Sequence, residues 1–588
     1  MPRKYAPLLT AGASLLALCL ANGAAAQSVG DGGGLPANAP NFGVPAGQAG
    51  YGDPSPARDG NGVNRANRGG NDDQGENGGE RRRVVDVTPY IEVGQVVSAE
   101  LSNGNDAVTY STVAVGVDGV VATRRVALAA SLRYERRIGW DDAIGDNDVI
   151  SGLVRGRVDA APGFALEAGA LATRASLDGR GGSPDFGVGD RSNVANLYSI
   201  YAGPTFGRQL GDFDVGAAYR FGYSRSDVEF APVLTPGAQP LGSFDESTNH
   251  AAIASIGMRP GRLPLGWKLS GGWDRDDSGQ LDQRYQGLFG RLDLTLPVSP
   301  TLALVGGVGY EDIEVSYRPP LTNGAGQPVV DANGRFVTNN AAPRTIAFET
   351  DGLIYDAGVM WRPSRRLSAE ARVGRRYGDM TYTGSLSYVA SQSTGYQIGL
   401  YDGISTIGRS LSAGLSALPT DFTVFRNGVD GALGGCAFGN GGGTCLGPTT
   451  NNLSGFAYRN RGIVASMSSR GRDWTVGVAV GYDRRNYVAS GLAALPTIDG
   501  QVDESYYAYV AASRALDDRT TFGFNSYATA FDSGTGLDAL SYGAGLDLGH
   551  SFAPRLQGNA ALSVNAIDQD GFNTRVFASA LLGLRYSF

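Results

Sequence analysis

The chain has 588 residues and a formal net charge of −8, with 88 glycines, 27 tyrosines, 22 phenylalanines, 18% charged residues and two histidines. Glycine at about twice its usual share, without a Gly-X-Y period, excludes collagen; low charge with abundant tyrosine excludes a wholly disordered chain, and the acidic balance gives no electrostatic reason to expect nucleic acid. Mean hydropathy is −0.15, too polar for a bundle of membrane helices, and past the first residues no apolar run reaches the ~18 residues a spanning helix needs.

In chain order, Arg3 and Lys4 precede an apolar run from Leu8 to Leu20 and then Ala24-Ala25-Ala26. This is the pattern of a secretory signal peptide, so residues 1–26 are expected to be removed. Residues 27–86 form a Gly/Asn/Asp-rich segment with too little apolar surface to offset the entropy of ordering, and a disordered periplasmic stretch is expected there. It is too short for the plug that precedes the barrel of TonB-dependent transporters.

From Val87 onward the pattern has a period of two. Val126, Leu128, Ala130, Leu132 and Tyr134 alternate with Arg125, Ala127, Ala129, Ser131, Arg133 and Glu135. The same split recurs over 213–224, 367–374, 474–483 and 572–588. Side chains alternate across a strand, so each segment has one apolar and one largely polar face. Three features set these segments apart from a soluble sandwich. They run to ~11 or more residues, the length of a tilted membrane strand. Aromatics such as Trp140, Tyr219, Phe221, Trp273, Trp361, Tyr482 and Tyr586 gather at their ends, as interfacial girdles would. Short connectors (121–124, 161–163, 208–211, 259–264, 297–300, 362–365) alternate with longer ones (139–146, 179–191, 231–243, 318–343, 408–454, 489–499).

The expected fold is therefore all-β: a transmembrane antiparallel up-and-down β-barrel over residues 87–588 with no plug domain. It would have about 22 strands, within a range of roughly 18 to 24. An even count puts both mature termini on the side of the short turns, the periplasm. The polar faces nominate as lumen-lining Arg133, Glu135, Arg155, Arg157, Glu167, Asp214, Arg220, Lys268, Asp274, Arg291, Asp293, Asp356, Glu370, Arg372, Arg376, Asp483, Arg485, Asp547, Arg575 and Arg585. Both signs are interspersed, which predicts a polar wall without strong ion selectivity.

With Cys19 in the leader, Cys436 and Cys445 remain, nine positions apart; in an exported protein they read as a disulfide pinning a loop, with two free thiols the alternative. The 408–454 connector that carries them is either a constriction folded into the lumen or a stiffened surface loop. Acid-base chemistry has only His250 and His550 to work with, and no Cys/His cluster suggests zinc, so neither an enzyme nor a metal or other cofactor is expected. Asp274, Asp276, Ser278, Gly279 and Asp282 resemble the start of a calcium loop, but Tyr285 stands where the bidentate Glu belongs.

The chain ends LLGLRYSF, an alternating strand closed by Phe588 with Tyr586 two residues before it. With the leader and the strand repeats, this ending resembles that of bacterial outer-membrane β-barrel proteins and, among them, the beta-barrel porins of alphaproteobacteria. The resemblance implies residence in a Gram-negative outer membrane. It also implies contact with outer-membrane lipid and lipopolysaccharide, and recognition of Tyr586 and Phe588 by the barrel-assembly machinery. The function expected is a porin-like channel for passive passage of small hydrophilic solutes. The alternatives are an export channel for a secreted polysaccharide and a non-conducting envelope scaffold.

Overall fold

The computed structural model describes residues 84–102, 107–140, 146–177, 193–228, 242–333, 335–439, 442–489, 498–534 and 538–588. The expected signal peptide and nearly all of the 27–86 segment, where any preceding plug would also lie, fall outside the described residues. β1 (Val84–Glu100) begins three residues before Val87, and β2 (Ala107–Ala122), β3 (Val126–Gly139), β4 (Asn147–Ala161) and β5 (Phe164–Ser176) follow. Next come β6 (Val194–Leu210), β7 (Phe213–Val228), β8 (Glu246–Met258), β9 (Gly266–Ser278), β10 (Gln283–Pro297) and β11 (Leu302–Tyr317). Then come β12 (Thr345–Ser364), β13 (Leu367–Arg376), β14 (Asp379–Ser391) and β15 (Thr394–Ser405). A long connector then carries the helix α1 (Ile407–Ala417), the short strands β16 (Thr423–Arg426), β17 (Leu433–Gly439) and β18 (Gly442–Cys445), and one turn of helix, α2 (Gly447–Thr450). The chain finishes with β19 (Tyr458–Arg470), β20 (Trp474–Tyr487), β21 (Val502–Ala515), β22 (Thr520–Asp532), β23 (Ala539–Ala553), β24 (Leu556–Gln569) and β25 (Arg575–Ser587).

Strands β1–β15 and β19–β25 form one 22-stranded antiparallel sheet. Each pairs with its neighbour in sequence, β15 pairs with β19 across the long connector, and β25 returns to β1 with Tyr90 opposite Ser587. The ring is thus closed and presents no free edge, so every strand in it has a hydrogen-bonding neighbour on each side. The long connector leaves and re-enters the ring at adjacent points, since Ser405 and Tyr458 are cross-strand partners.

Three of the hairpin turns hinge on residues with positive φ. Gly163 (φ +80°) and Gly211 (φ +62°) take the left-handed conformation that the tight β4–β5 and β6–β7 turns require. The β13–β14 turn holds Tyr377 (φ +57°) and Gly378 (φ +74°), and two positive φ values define the type I′ geometry that matches strand twist. Tyrosine accepts this strained position because its ring is packed by the guanidinium groups of Arg376 and Arg459, 4.7 and 5.3 Å from its centroid.

The barrel turns its apolar rows outward. Val93, Val113, Ile200, Leu269, Leu304 and Leu562 are all exposed, while the intervening positions are buried or half-buried. Inside, toward the end of the barrel that carries the longer connectors, lies an apolar cluster that includes Phe244, Leu281, Tyr285, Ile313, Tyr317, Ile407, Leu411, Leu415, Leu453 and Phe456. Its position is unlike that of a soluble sandwich, whose core lies between two sheets. Among the described residues no helix is long and apolar enough to cross a membrane, a test that does not bear on strands.

Candidate functional site

The inner wall carries the charges, and most are paired. On β1, β3, β4 and β5, Arg133 bridges Glu92 (3.1 Å) and Glu135 (2.7 Å), Arg137 reaches Glu135 (2.7 Å), and Glu167 receives both Arg155 (2.8 Å) and Arg157 (2.6 Å). A second network spans β10, β12 and β13. Arg291 meets Asp293 (2.9 Å) and Asp356 (2.6 Å), and Arg372 meets Asp293 (2.9 Å), Asp356 (3.0 Å) and Glu370 (2.6 Å). Lys268 is the cross-strand partner of Asp293, and Arg376 contacts Glu311 at 2.7 Å.

The other candidate residues lie apart. Asp214 pairs with Arg259 (2.8 Å), Arg220 lies over the Tyr201 ring (5.8 Å), and Arg485 contacts Asp483 (3.1 Å). Arg575 pairs with Glu100 (3.0 Å), and Arg585 with Asp118 (2.9 Å). All twenty candidates occupy the strand face opposite the exposed apolar rows, but they form separate clusters rather than one continuous ladder.

The 406–457 connector folds into the lumen. α1 is capped by Thr406, whose hydroxyl accepts from the Arg409 amide, and ends ahead of Leu418-Pro419, where proline blocks continuation. Ile407, Leu411 and Leu415 recur every four residues, placing one apolar stripe against the upper core. Its polar side docks on β8 and β9: Arg409 pairs with Asp274, the Thr406 hydroxyl donates to Asp276, and the Ser412 hydroxyl donates to Asn249 (3.1 Å). The Tyr285 ring lies 3.8 Å beneath the Arg409 guanidinium. Burial alone would lower the Arg409 pKa, but the Asp274 carboxylate beside it holds it above its ordinary value. Asp274 and Asp276 thus reach Arg409 and Thr406 rather than converging on a common point as calcium ligands would.

The connector then crosses to other sectors. Arg426 donates to Ser151 Oγ (2.8 Å), Ser131 Oγ (3.0 Å) and the Gly431 carbonyl (2.8 Å), and Arg137 donates to the Asp430 carbonyl (3.3 Å). Burial pushes the Asp421 carboxyl up and the Arg426 guanidinium down. Gly428 passes so close to β23 that a Cβ there would sit 2.8 Å from that of Asp547. Cys436 and Cys445 are cross-strand partners in the β17–β18 hairpin and form a disulfide with an S–S distance of 2.07 Å. That hairpin rests on the wall through Phe438, stacked on Tyr509 at 6.3 Å, and through the Ser466 hydroxyl, which donates to the Gly443 carbonyl (2.8 Å). Arg485 donates to the Asn452 carbonyl (2.9 Å) before the chain rejoins the ring.

Anchored on β3–β4, β8–β9, β19–β21 and β23–β24, the connector spans the lumen. A cavity of about 150 Å³ remains between the β17–β18 hairpin and the wall, bounded by Leu153 and Leu171 on one side and by Tyr509, Asn525, Tyr527 and Ser541 on the other. Of these contributors, Glu92, Arg137, Glu311, Arg409 and Arg426 were not among the sequence candidates. Arg409 had a readable signal in the Ile407/Leu411/Leu415 spacing; the others had none beyond being polar residues on alternating faces or in a loop.

No family model matches the chain, and no curated protein matches it. Among solved structures, the FrpB iron transporter of Neisseria meningitidis is 10% identical with a TM-score of 0.40, over 86% of this chain and 83% of that one. The ferric-catecholate import receptor Fiu of E. coli K12 is 11% identical with a TM-score of 0.40, over 85% and 81%. The copper transporter OprC is 12% identical with a TM-score of 0.39, over 87% and 81%. Likeness at this level bears on neither the ligand nor the activity of this chain.

Proposed function

We propose that this protein is an outer-membrane barrel that passes small hydrophilic solutes by diffusion around an internal connector. The observation that carries this reading is a closed 22-stranded ring with apolar side chains outside and paired charges inside. In hydrocarbon, backbone N–H and C=O groups find no water, and a ring without edges is one of the two ways to satisfy them all. A 13-residue strand at ~3.3 Å per residue is ~43 Å long, which at a tilt of ~45° covers the ~30 Å of a bilayer core.

Rings of 16 to 18 strands or more enclose water unless something fills them, and here the 406–457 connector does so in part. Neutralised charge pairs on the wall favour a polar route without strong ion preference. The described ends of the chain, Val84 and Phe588, lie at the short-turn end, which in such a membrane faces the periplasm.

A second reading has its own support. Because the connector is bonded to the wall on several sides, a barrel whose lumen stays shut would serve as an envelope scaffold. Planar-bilayer recording of the refolded protein separates the two: the channel reading expects discrete, weakly ion-selective current steps, and a protein that inserts but never conducts supports the scaffold.

A further inference from the structure

The wall is not uniform around its circumference. Paired Arg, Asp and Glu side chains crowd β1–β5 and β9–β13, but the inward rows of β21–β23 at the height of the cavity are Tyr507, Tyr509, Asn525, Tyr527, Thr529 and Ser541. Gly543 and Gly545 on β23 make room for their neighbours: a Cβ at Gly543 would collide with Asn565 Oδ1 and sit 2.8 Å from Tyr527 Cε1, and one at Gly545 would sit 3.1 Å from Asn525 Oδ1. The cavity beside the disulfide hairpin lies against this neutral sector; the hairpin contributes Thr444 and apolar Leu433 from its own side, and the stretch after β16 contributes Asn427. Arg174 alone among the lining residues carries a charge, and no carboxylate is present. At about 30 Å³ per water in the liquid, the space of about 150 Å³ holds about five waters.

This chemistry discriminates. Amide and hydroxyl side chains both donate and accept, so they can exchange hydrogen bonds with a neutral hydroxyl ligand in either direction. Tyrosine rings offer flat apolar faces beside polar tips, suited to the alternating C–H faces and hydroxyl edges of a sugar ring. A cation entering the same space would shed water without meeting a counter-charge, and an anion would meet Arg174 alone; the cost is large where the other polar groups are few and neutral.

We propose that the gap between the β17–β18 hairpin and the β21–β23 wall is the solute passage, and that it favours uncharged, polyhydroxylated solutes of the monosaccharide class over ions of equal size. This proposal rests on the channel reading above but names a route and a substrate class that the reading leaves open.

Proteoliposome swelling tests it with the full-length mature protein, using glucose, gluconate and glucosamine at matched osmolarity. Glucose is expected to enter at least fivefold faster than either charged counterpart. Asn525→Asp and Ser541→Asp, each verified as folded by heat-modifiable electrophoretic mobility, are expected to slow gluconate further and to bring glucosamine within twofold of glucose. Equal entry of all three solutes through the unaltered protein overturns the substrate class while leaving the channel intact. Preference for glucose that neither variant changes overturns the route. No swelling with any solute, from protein shown to be inserted, removes the channel reading and this inference together.

Discussion

At the scale of single residues, the contact between Arg409 and Asp274 joins the internal connector to the wall, with both side chains nearly inaccessible to solvent. Removing one partner of such a pair leaves the other buried and uncompensated, at a cost of ~3–5 kcal/mol. The ring ladders do not involve this pair, so the cost should fall on the seat of α1 rather than on the barrel. Arg409→Ala is therefore expected to raise single-channel conductance several-fold with little change in the thermal unfolding temperature of the barrel. Adding Asp274→Asn removes the orphaned charge and should bring the current back toward the unaltered level; equal currents in all three proteins would show that the pair seats nothing. The sequence showed that Asp274 faces inward, because a period of two is local information. It left the same residue between a calcium loop and, as the preferred reading, a solvated acidic turn, because its partner lies 135 positions away, and no local pattern reports which loop returns to meet it.

At the scale of elements, strand positions were legible and the fate of the long connector was not. Strands announce themselves through alternation and Gly- or Pro-marked turns; segments read as starting near 124, 212 and 472 begin at Val126, Phe213 and Trp474, one or two residues later. The connector left two readings open, since its Gly-rich stretch around Cys436 suits either a surface loop or an inward fold. What decides is burial: Ile407, Leu411 and Leu415 need an apolar partner, and Leu171 and Ala175 on β5 and Leu197 on β6, members of the same cluster on strands the helix packs against, supply one. An insertion of this kind should be separable from its host, because the strands that bracket it, β15 and β19, already pair from Thr394–Ser469 to Ser405–Tyr458. Replacing residues 408–454 with a short Gly/Ser turn is expected to leave a barrel that still refolds and inserts, with conductance raised several-fold and solute discrimination lost. If the shortened chain fails to refold at all, the connector is part of the barrel's folding core rather than its filling.

At the scale of the whole molecule, everything depends on which side of the sheet is apolar, and a one-residue change of register would exchange the two faces. Leu562 on β24 is 60% exposed, whereas Asn559, three positions earlier, faces the lumen in register with Gly583 and Gly549. An arginine on a hydrocarbon-facing strand position costs ~2–4 kcal/mol near the bilayer midplane, while lumen positions accept charge and change selectivity instead. Leu562→Arg should therefore lower the yield of heat-modifiable, lipid-inserted protein by tenfold or more. Asn559→Arg should insert normally and shift the reversal potential toward anion preference. Both substitutions introduce the same side chain three residues apart on one strand, so a shared defect cannot separate them; only the medium on each side can. Equal insertion of the two variants would mean that the exposed leucines do not meet lipid, and the ring would then need another partner to cover its apolar outer surface.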